Sequence, residues 1–197
     1  MGLLVMAVLA GFGNFVAVEG LVTAGDPAGT ARDIAGSEGL FRAGVASLFL
    51  VVVLDVVVAA ALYRVFSEVD RTMSLLAAAF RLVYAGVFMV ALGSLLEALR
   101  MLDDEALAHV EAFSDLWKAG LGLFGAHLVV VGYLAFRSSL LPSWLGVLLA
   151  VAGLGYVVDS MGVFFAVELT VSTYTFLGEL LLAIWLLIRA RQLRRIP

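Results

Sequence analysis

Cysteine is absent from this 197-residue chain, and histidine, lysine and proline are scarce. The lack of cysteine excludes disulfides, thiolate metal sites and cysteine nucleophiles. Only two histidines are present, which excludes a hydrolase with several histidine ligands. Lys118 is the one lysine, so there is no Walker lysine, and no basic run resembles a patch that binds nucleic acid.

Charged residues make up only 14% of the chain, whereas 63% of its residues are hydrophobic. The mean hydropathy is +1.11. A soluble domain is usually about half apolar and about a quarter charged, so this composition excludes an aqueous protein. Twenty glycines with only three prolines fit closely packed membrane helices. The chain is therefore predicted to lie in lipid.

Six runs are long and apolar enough to cross the hydrocarbon core as helices, which takes about 20 residues each. A helix is expected because a spanning backbone must satisfy its own hydrogen bonds. The predicted spans are 3–24, 40–66, 72–99, 118–136, 144–167 and 172–188. No basic region precedes the first run, so we interpret it as a span rather than a signal peptide. The prediction is one all-α transmembrane domain over residues 1–197.

Two connecting segments are predicted to form short helices on the outer surface. Asp26 followed by Pro27 is typical of an N-cap and a first helical position, and it predicts a helix over 27–35. Residues 104–117 begin with acidic residues and continue with apolar residues at helical spacing. This second helix is expected to lie on the membrane surface.

Basic residues beside the spans predict an orientation. With six spans, both termini and the loops at 64–71 and 137–143 share one side. That side holds Arg64, Arg71, Arg137, Arg189, Arg191, Arg194 and Arg195. The opposite side has fewer basic residues and many acidic ones. We therefore expect a cytoplasmic membrane protein with both termini in the cytoplasm.

Charged side chains inside apolar spans are the candidate functional residues, because each costs at least about 2.5–3.5 kcal/mol to insert. The main candidates for binding an ion or a ligand are Asp55, Arg81, His127, Asp159 and Glu179. The secondary candidates are Asn14, Glu19, Tyr84 and Ser160. Together they predict a polar layer at mid-membrane beneath an acidic outer layer.

A structural explanation exists for several of these residues. An ion pair between Asp55 and Arg81 that locks two helices is as good an explanation as a functional one. His127 is more often a hydrogen-bonded packing residue than a ligand. Asp159 shares a helical face with small residues, which predicts that it points into a helix contact.

The inventory of side chains limits the chemistry. One histidine and several carboxylates can hold a hard or borderline cation, or relay protons. A closed zinc site is disfavoured because cysteine is absent and His127 stands alone in the spans. The sequence identifies neither a metal nor a cofactor. Ser160 beside Asp159 leaves a serine nucleophile open, although no Gly-x-Ser-x-Gly motif surrounds it.

Short motifs occur in order along nearly the whole chain. They include Gly39-Leu-Phe-Arg-Ala-Gly, Leu54-Asp55, Ala61-Leu-Tyr-Arg64, Leu75-Leu-Ala-Ala-Ala-Phe-Arg81, His127-Leu, Gly132-Tyr-Leu, Leu145-Gly-Val-Leu, Asp159-Ser160 and Gly178-Glu179-Leu. In these motifs the chain resembles a prokaryotic membrane family called domain of unknown function 4386. The resemblance implies the six spans and marks Asp55, Arg81, His127, Asp159 and Glu179 as motif positions. It implies no activity.

Three functions remain open. The first is a transporter-like protein that binds or conducts a cation, a proton or a small polar ligand. In it Asp55 and Arg81 would orient the ligand, and His127, Asp159 and Glu179 would bind it.

The second function is a non-catalytic membrane subunit or scaffold. Its glycine-rich faces, including Gly146, Gly153, Gly155 and Gly162, would pack against partner helices. The third is an intramembrane enzyme that modifies lipids. The expected partners are the lipid bilayer and either a homo-oligomer or a membrane partner subunit, with no nucleic acid.

Overall fold

The computed structural model describes residues 2–101, 105–167, 169–175, 181–182 and 184–185. These residues form helices joined by short turns, with no strand among them, which confirms the all-α class. Within them, five helical segments are long and apolar enough to cross a membrane. Their exposed surfaces are rich in valine, leucine and phenylalanine, as expected of helices that face lipid.

The helices follow one another with little irregular chain between them. They are α1 Gly2–Gly11, α2 Pro27–Gly36, α3 Glu38–Phe66, α4 Arg71–Arg100, α5 Ala106–Arg137, α6 Ser143–Phe164 and α7 Ser172–Thr175. A π-helical segment, Phe12–Val18, and a 3-10 turn, Glu19–Leu21, extend α1. Of the predicted sixth span, α7 and residues 181–182 and 184–185 are helical, and the other positions, Glu179 among them, lie outside the described residues.

The short helix predicted over 27–35 is present as α2. The Asp26 side chain accepts a hydrogen bond of 2.8 Å from the backbone N–H of Gly29, and Pro27 occupies the first turn. Gly25, just before the cap, has φ +74°, a conformation that a residue with a Cβ rarely adopts. The capping pattern in the sequence therefore marked the start of this helix correctly.

The helix expected near 104–117 is also present, but it is continuous with the fourth span. Residues Ala106–Arg137 form a single helix, α5. Its first turns pack Leu107, Val110 and Phe113 inside the protein, and Phe113 stacks on Trp117 with ring centroids 5.8 Å apart. Phe113 also lies against Phe88 of α4, with ring centroids 6.4 Å apart, so these turns pack on the bundle.

Glycines bring α5 and α6 into direct backbone contact. A Cβ placed on Gly132 would lie 2.6 Å from the Gly146 carbonyl oxygen, and a Cβ on Gly146 would lie 2.6 Å from the Gly132 carbonyl oxygen. Gly125 and Gly153 form a second reciprocal pair in which either Cβ would overlap the carbonyl of the other residue. The two antiparallel helices therefore depend on glycine at both levels.

The run Gly120-Leu-Gly-Leu-Phe-Gly125 has the spacing of a dinucleotide-binding motif, but it lies in the middle of α5. That motif acts at a turn that opens a helix, where free backbone N–H groups meet a pyrophosphate. Within a helix those N–H groups are already bonded. These glycines therefore serve helix packing.

The first span packs against α3 more closely in one part than in another. Its π-helical segment packs closely on α3, where a Cβ on Gly13 would lie 2.6 Å from Ser47 Oγ and a Cβ on Gly44 would overlap Ala17. The Ser47 hydroxyl is also 3.2 Å from the Leu9 carbonyl oxygen. In α1 itself, Met6 is the only buried residue among positions 3–11. Residues 3–11 are therefore less buried than the π-helical segment that follows them.

Candidate functional site

Three of the predicted site residues occupy matching depths on adjacent helices. Asp55 precedes the end of α3 at Phe66, Arg81 follows the start of α4 at Arg71, and His127 precedes the end of α5 at Arg137. At 1.5 Å per residue each separation is about 15 Å. Because these helix ends lie at the same end of the bundle, the three side chains share one level.

These three residues, called the polar triad below, contact one another. Asp55 Oδ1 and Arg81 Nη2 are 2.7 Å apart, and Arg81 Nη1 and His127 Nε2 are 3.1 Å apart. Their exposed fractions are 1%, 3% and 1%. Arg81 on α4 thus joins α3 on one side to α5 on the other.

Hydrogen bonds define the state of His127. Its Nδ1 lies 2.8 Å from the backbone carbonyl oxygen of Ala77, which can only accept a hydrogen bond, so Nδ1 carries the proton. Its Nε2 faces the Arg81 guanidinium, which can only donate, so Nε2 accepts. His127 is therefore a neutral imidazole, and the polar triad carries no net charge when Asp55 is ionised and Arg81 is protonated.

Two atoms of the polar triad keep unused hydrogen-bonding capacity. Arg81 Nε is buried and has no hydrogen-bond partner among the described residues. Asp55 Oδ1 lies 2.7 Å from Arg81 Nη2 as an ion pair, and it has no further hydrogen-bond partner among the described residues. Buried polar groups are usually paired, so an unused donor and an unused acceptor in one cluster require an explanation.

A cavity with a volume of about 180 Å³ lies against the polar triad. All three residues of the polar triad and Tyr84 line it, together with apolar side chains. The apolar lining comes from four spans and from position 182: Leu3, Met6, Ala7, Ala10, Val51, Leu62, Phe124, Leu128, Val131 and Leu182. This central cavity is therefore a mainly apolar space with one polar wall.

An aromatic chain continues from the cavity along α4 and α5. The rings of Tyr84, Phe88, Trp117 and Phe113 follow one another with centroids 5.6 to 5.9 Å apart. Trp117 Nε1 donates a hydrogen bond of 3.0 Å to the Tyr84 hydroxyl. This chain explains why Tyr84 is held in place at the edge of the cavity, one turn from Arg81.

Phe124 is a cavity residue that sequence reasoning missed. The Arg81 guanidinium carbon lies 5.2 Å from the centre of its ring, within the range of a cation–π contact. The ring also lies 5.8 Å from that of His127, one turn further along α5. An aromatic residue three positions before a buried histidine shares its helical face, and that spacing was the available signal.

Asp159 and Ser160 are separate from the polar triad and the cavity. The two carboxylate oxygens of Asp159 accept hydrogen bonds of 2.7 and 2.8 Å from the backbone N–H groups of Val171 and Ser172, at the start of α7. The Ser160 hydroxyl donates a hydrogen bond of 2.8 Å to the carbonyl of Ala119 on α5. Asp159 therefore joins α6 to the start of α7, and Ser160 joins α6 to α5.

The remaining polar candidates pair with their own neighbours. Asn14 Nδ2 donates a hydrogen bond of 2.8 Å to Glu19 across the π-helical segment, and neither residue lines the central cavity. Glu97 pairs with Arg100 at 2.7 Å on an exposed stretch of α4. Of the described polar candidates, only the polar triad and Tyr84 line the central cavity. Glu179 lies outside the described residues.

Metal binding finds no support in this arrangement. Among the described residues, no three His, Cys, Asp or Glu side chains lie close enough together to hold an ion. Asp55 is paired with a guanidinium, and both ring nitrogens of His127 already have partners. The site instead combines a polar wall with apolar surface.

The fold and the site together define a multi-pass helical membrane protein with a polar cluster buried at the middle of its bundle. The chain belongs to the family described as Domain of unknown function (DUF4386), which matches residues 1–190. It is 35% identical over 152 residues to a protein of Archaeoglobus fulgidus named "Uncharacterized protein", a match that covers 77% of this chain and 86% of the archaeal one. No solved structure matches the chain.

Proposed function

We propose that this protein binds a small molecule inside the membrane, in the central cavity, as a transporter-like protein does. The observation that carries the proposal is the cavity of about 180 Å³ beside the polar triad. An ion pair that only fastened helices would be expected in closely packed surroundings, since protein interiors leave few voids. A mainly apolar cleft with a few placed polar groups is the usual form of a ligand site.

The depth of the site supports a transporter-like role. Secondary transporters bind their substrates near the middle of the bilayer, from where a site can open to either side. The polar triad lies about 15 Å from one end of its helices. Asp55, Arg81, His127 and Tyr84 are the proposed binding residues.

The ligand types considered from the sequence are not equally supported. A metal cation is disfavoured because the carboxylate of Asp55 is already neutralised by Arg81. A small polar or amphipathic molecule fits better, because the cavity combines polar side chains with a mainly apolar lining. Asp159 is not a proposed ligand, since its oxygens are occupied by backbone N–H groups.

A role as a membrane subunit or scaffold is the second candidate. The glycines first considered for it are used within the chain, because Gly146, Gly153, Gly155 and Gly162 all face other segments of the same protein. Gly86 and Gly93, one heptad apart on α4, instead face open space. If α4 packs against a partner helix there, leucine at both positions should dissociate the assembly, as measured by analytical ultracentrifugation in detergent.

Ser160 and His127 do not form the catalytic arrangement that a lipid-modifying enzyme with a serine nucleophile would need. A serine nucleophile needs a histidine within hydrogen-bond reach. Ser160 donates to Ala119, and the nitrogens of His127 bond to Arg81 and Ala77. We therefore do not propose this function.

Native mass spectrometry with elemental analysis, on protein purified in mild detergent, tests the proposed binding. We expect the wild type to carry a stoichiometric metal-free adduct. In Ala10→Phe the added ring enters the cavity, so the adduct should be lost. Val8→Phe is the matched control, because Val8 lies on the same helix but is 72% exposed.

The control variant should keep the adduct. Binding that persists in Ala10→Phe, or that is lost equally in Val8→Phe, would show that the cavity is not the site. A wild-type protein that carries no adduct would favour the subunit or scaffold role.

A further inference from the structure

We infer that a groove between α3 and α4 binds one phospholipid with an ethanolamine headgroup. This lipid groove has a volume of about 270 Å³, and none of the residues that line the central cavity lines it. The inference is therefore independent of the proposed function. Three observations lead to it: the shape of the lipid groove, the exposed ion pair at one end of it, and the order of the two charges along α3.

The lipid groove has a buried floor and exposed rims, and apart from Arg42 its described lining is apolar. The floor is Val45, Leu92 and Leu99, the α3 rim is Ala46 and Phe49, and the α4 rim is Met89 and Leu96. An acyl chain in such a groove touches protein on three sides, whereas a chain on a flat helix surface touches it on one. The additional dispersion contacts favour one bound chain over exchange with the bilayer.

The lipid groove runs from the helix ends toward the middle of the spans. Phe49 lies eleven residues after the start of α3 at Glu38, and Met89 lies eleven residues before the end of α4 at Arg100. At 1.5 Å per residue, both are about 16 Å from that end of the bundle. This is the direction that an acyl chain takes when its headgroup lies at the membrane surface.

An exposed ion pair lies at the end of the lipid groove where a headgroup would be. Arg42 Nε and Nη2 both lie 2.6 Å from Glu38 Oε1. The two side chains are 59% and 45% exposed. Among the described residues, Arg42 Nη1 and Glu38 Oε2 have no hydrogen bond. Both side chains can therefore be reached by a headgroup.

The order of the two charges matches a zwitterionic phospholipid. Glu38 precedes Arg42 by one helical turn, so the negative charge lies about 6 Å nearer to the end of α3. In the lipid the order is reversed, because the phosphate is next to the glycerol and the ammonium lies beyond it. With an acyl chain in the lipid groove, the phosphate meets Arg42 and the ammonium meets Glu38.

The carboxylate favours ethanolamine over other headgroups. An ethanolamine ammonium has N–H groups that can donate to Glu38, as a lysine ammonium does, whereas a choline ammonium has none. A glycerol headgroup brings the same phosphate to Arg42 but no positive charge to Glu38. Arg100, at the end of α4, is paired with Glu97 and does not line the lipid groove.

Native mass spectrometry of the full chain in mild detergent tests the lipid site. The protein is mixed with equal amounts of three palmitoyl-oleoyl phospholipids, which carry ethanolamine, choline or glycerol headgroups. We expect one bound lipid to predominate. Binding of the ethanolamine lipid should exceed that of either other lipid by about threefold, the size of an exposed ion pair.

Two alanine substitutions locate the lipid. In Ala46→Phe a ring fills the lipid groove, so the bound lipid should be lost. Ala43→Phe is the matched control, because Ala43 is also exposed on α3 but does not line the lipid groove. Ala10→Phe, which fills the central cavity, should also keep the lipid. Circular dichroism and size-exclusion chromatography establish that each variant is folded.

Two further variants test the headgroup. Glu38→Gln should bind the ethanolamine and choline lipids equally, since the negative charge is gone. Arg42→Gln should weaken all three phospholipids but leave the binding of dioleoylglycerol, which has no phosphate, unchanged. Asp103 and Asp104 follow α4 in the sequence and lie outside the described residues, and Asp103→Asn/Asp104→Asn should keep the preference for ethanolamine.

Each other outcome contradicts a stated part of the inference. A preference for the glycerol lipid, or a preference for ethanolamine that persists in Glu38→Gln or vanishes in the Asp103/Asp104 variant, would overturn the contact between ammonium and Glu38. Lipid retained in Ala46→Phe, or lost equally in Ala43→Phe, would overturn the groove as its site. Lipid lost only in Ala10→Phe would place it in the central cavity, which would overturn this inference and support the proposed function.

Discussion

Two contacts between helices in this protein are stabilised by different kinds of interaction. Where α5 meets α6, reciprocal glycine pairs let two backbones touch. Where α3, α4 and α5 meet, the polar triad joins them by an ion pair and a hydrogen bond. The α5–α6 contact is closely packed, whereas the contact among α3, α4 and α5 borders the central cavity.

The difference teaches which contact is available for function. In lipid, helices associate by close packing, and small residues make that packing tight without leaving an unused polar atom. A polar contact requires partners for every buried donor and acceptor, and the polar triad leaves two unserved. The α5–α6 contact is therefore a structural element, and the polar triad is where we propose that a ligand binds.

The largest expected effect comes from breaking the glycine contact. In Gly153→Val the new side chain would overlap the Gly125 carbonyl and the backbone of Val129, so α6 must move away from α5. We expect destabilisation of roughly 4 kcal/mol or more, at the upper end for an overfilled core. Unfolding in mixed detergent micelles, followed by circular dichroism, measures it.

Gly93→Val is the matched control for that substitution. Gly93 is also a glycine inside a long helix, but a Cβ there meets nothing within 4 Å. Its stability should change by less than about 1 kcal/mol, the range of helix propensity effects. Equal losses in both variants would mean that glycine matters here for the helix itself and not for the contact.

Next in size is the removal of one partner from the polar triad. Arg81→Met leaves the Asp55 carboxylate buried without its countercharge, so we expect a loss of about 3–5 kcal/mol. The double variant Asp55→Leu/Arg81→Met removes both charges and should recover most of that loss. The difference between single and double variants in the unfolding free energy is the quantity to measure.

The same pair of variants sharpens the comparison with binding. The double variant is expected to be folded but unable to retain a ligand, because two of the polar side chains that line the cavity are replaced by apolar ones. Ligand retention by a stable double variant would mean that the polar triad holds the helices together and does not bind the ligand.

A smaller effect is expected from His127→Leu. This substitution leaves Arg81 Nη1 and the Ala77 carbonyl without their buried partner, which should cost about 1–3 kcal/mol. The ion pair between Asp55 and Arg81 remains. A thermal unfolding midpoint equal to that of the wild type would show that His127 contributes little to the structure.

Much of the fold was predictable because it depends on local pattern. Hydropathy located the long spans, and the cap at Asp26 located α2. Counting residues from the helix ends also placed Asp55, Arg81 and His127 at one depth. The surface helix was harder, because charged residues such as Asp115 and Lys118 interrupt the apolar window while the backbone of α5 continues unbroken.

The rest depends on how helices are rotated and aligned, which no local pattern contains. The reciprocal contacts of Gly125 with Gly153 and of Gly132 with Gly146 need the relative register of α5 and α6. The role of Asp159 needs the path of the chain twelve residues later. A carboxylate within an apolar run has no visible partner in the sequence alone, so the sequence predicts Asp159 as a candidate ligand.

Asp159 therefore gives the smallest expected effect and the clearest contrast with Asp55, since both are acidic residues of the spans. Asp159→Ala removes the acceptor for two backbone N–H groups, as at a lost helix cap, and should cost about 0.5–2 kcal/mol. Because Asp159 lies outside the central cavity, the variant should keep the adduct that native mass spectrometry is expected to find on the wild type. Loss of the adduct in a folded Asp159→Ala protein would mean that the end of α6 takes part in binding. An unchanged adduct there, with the adduct lost in a folded Asp55→Asn protein, would assign Asp159 to the structure and Asp55 to the ligand.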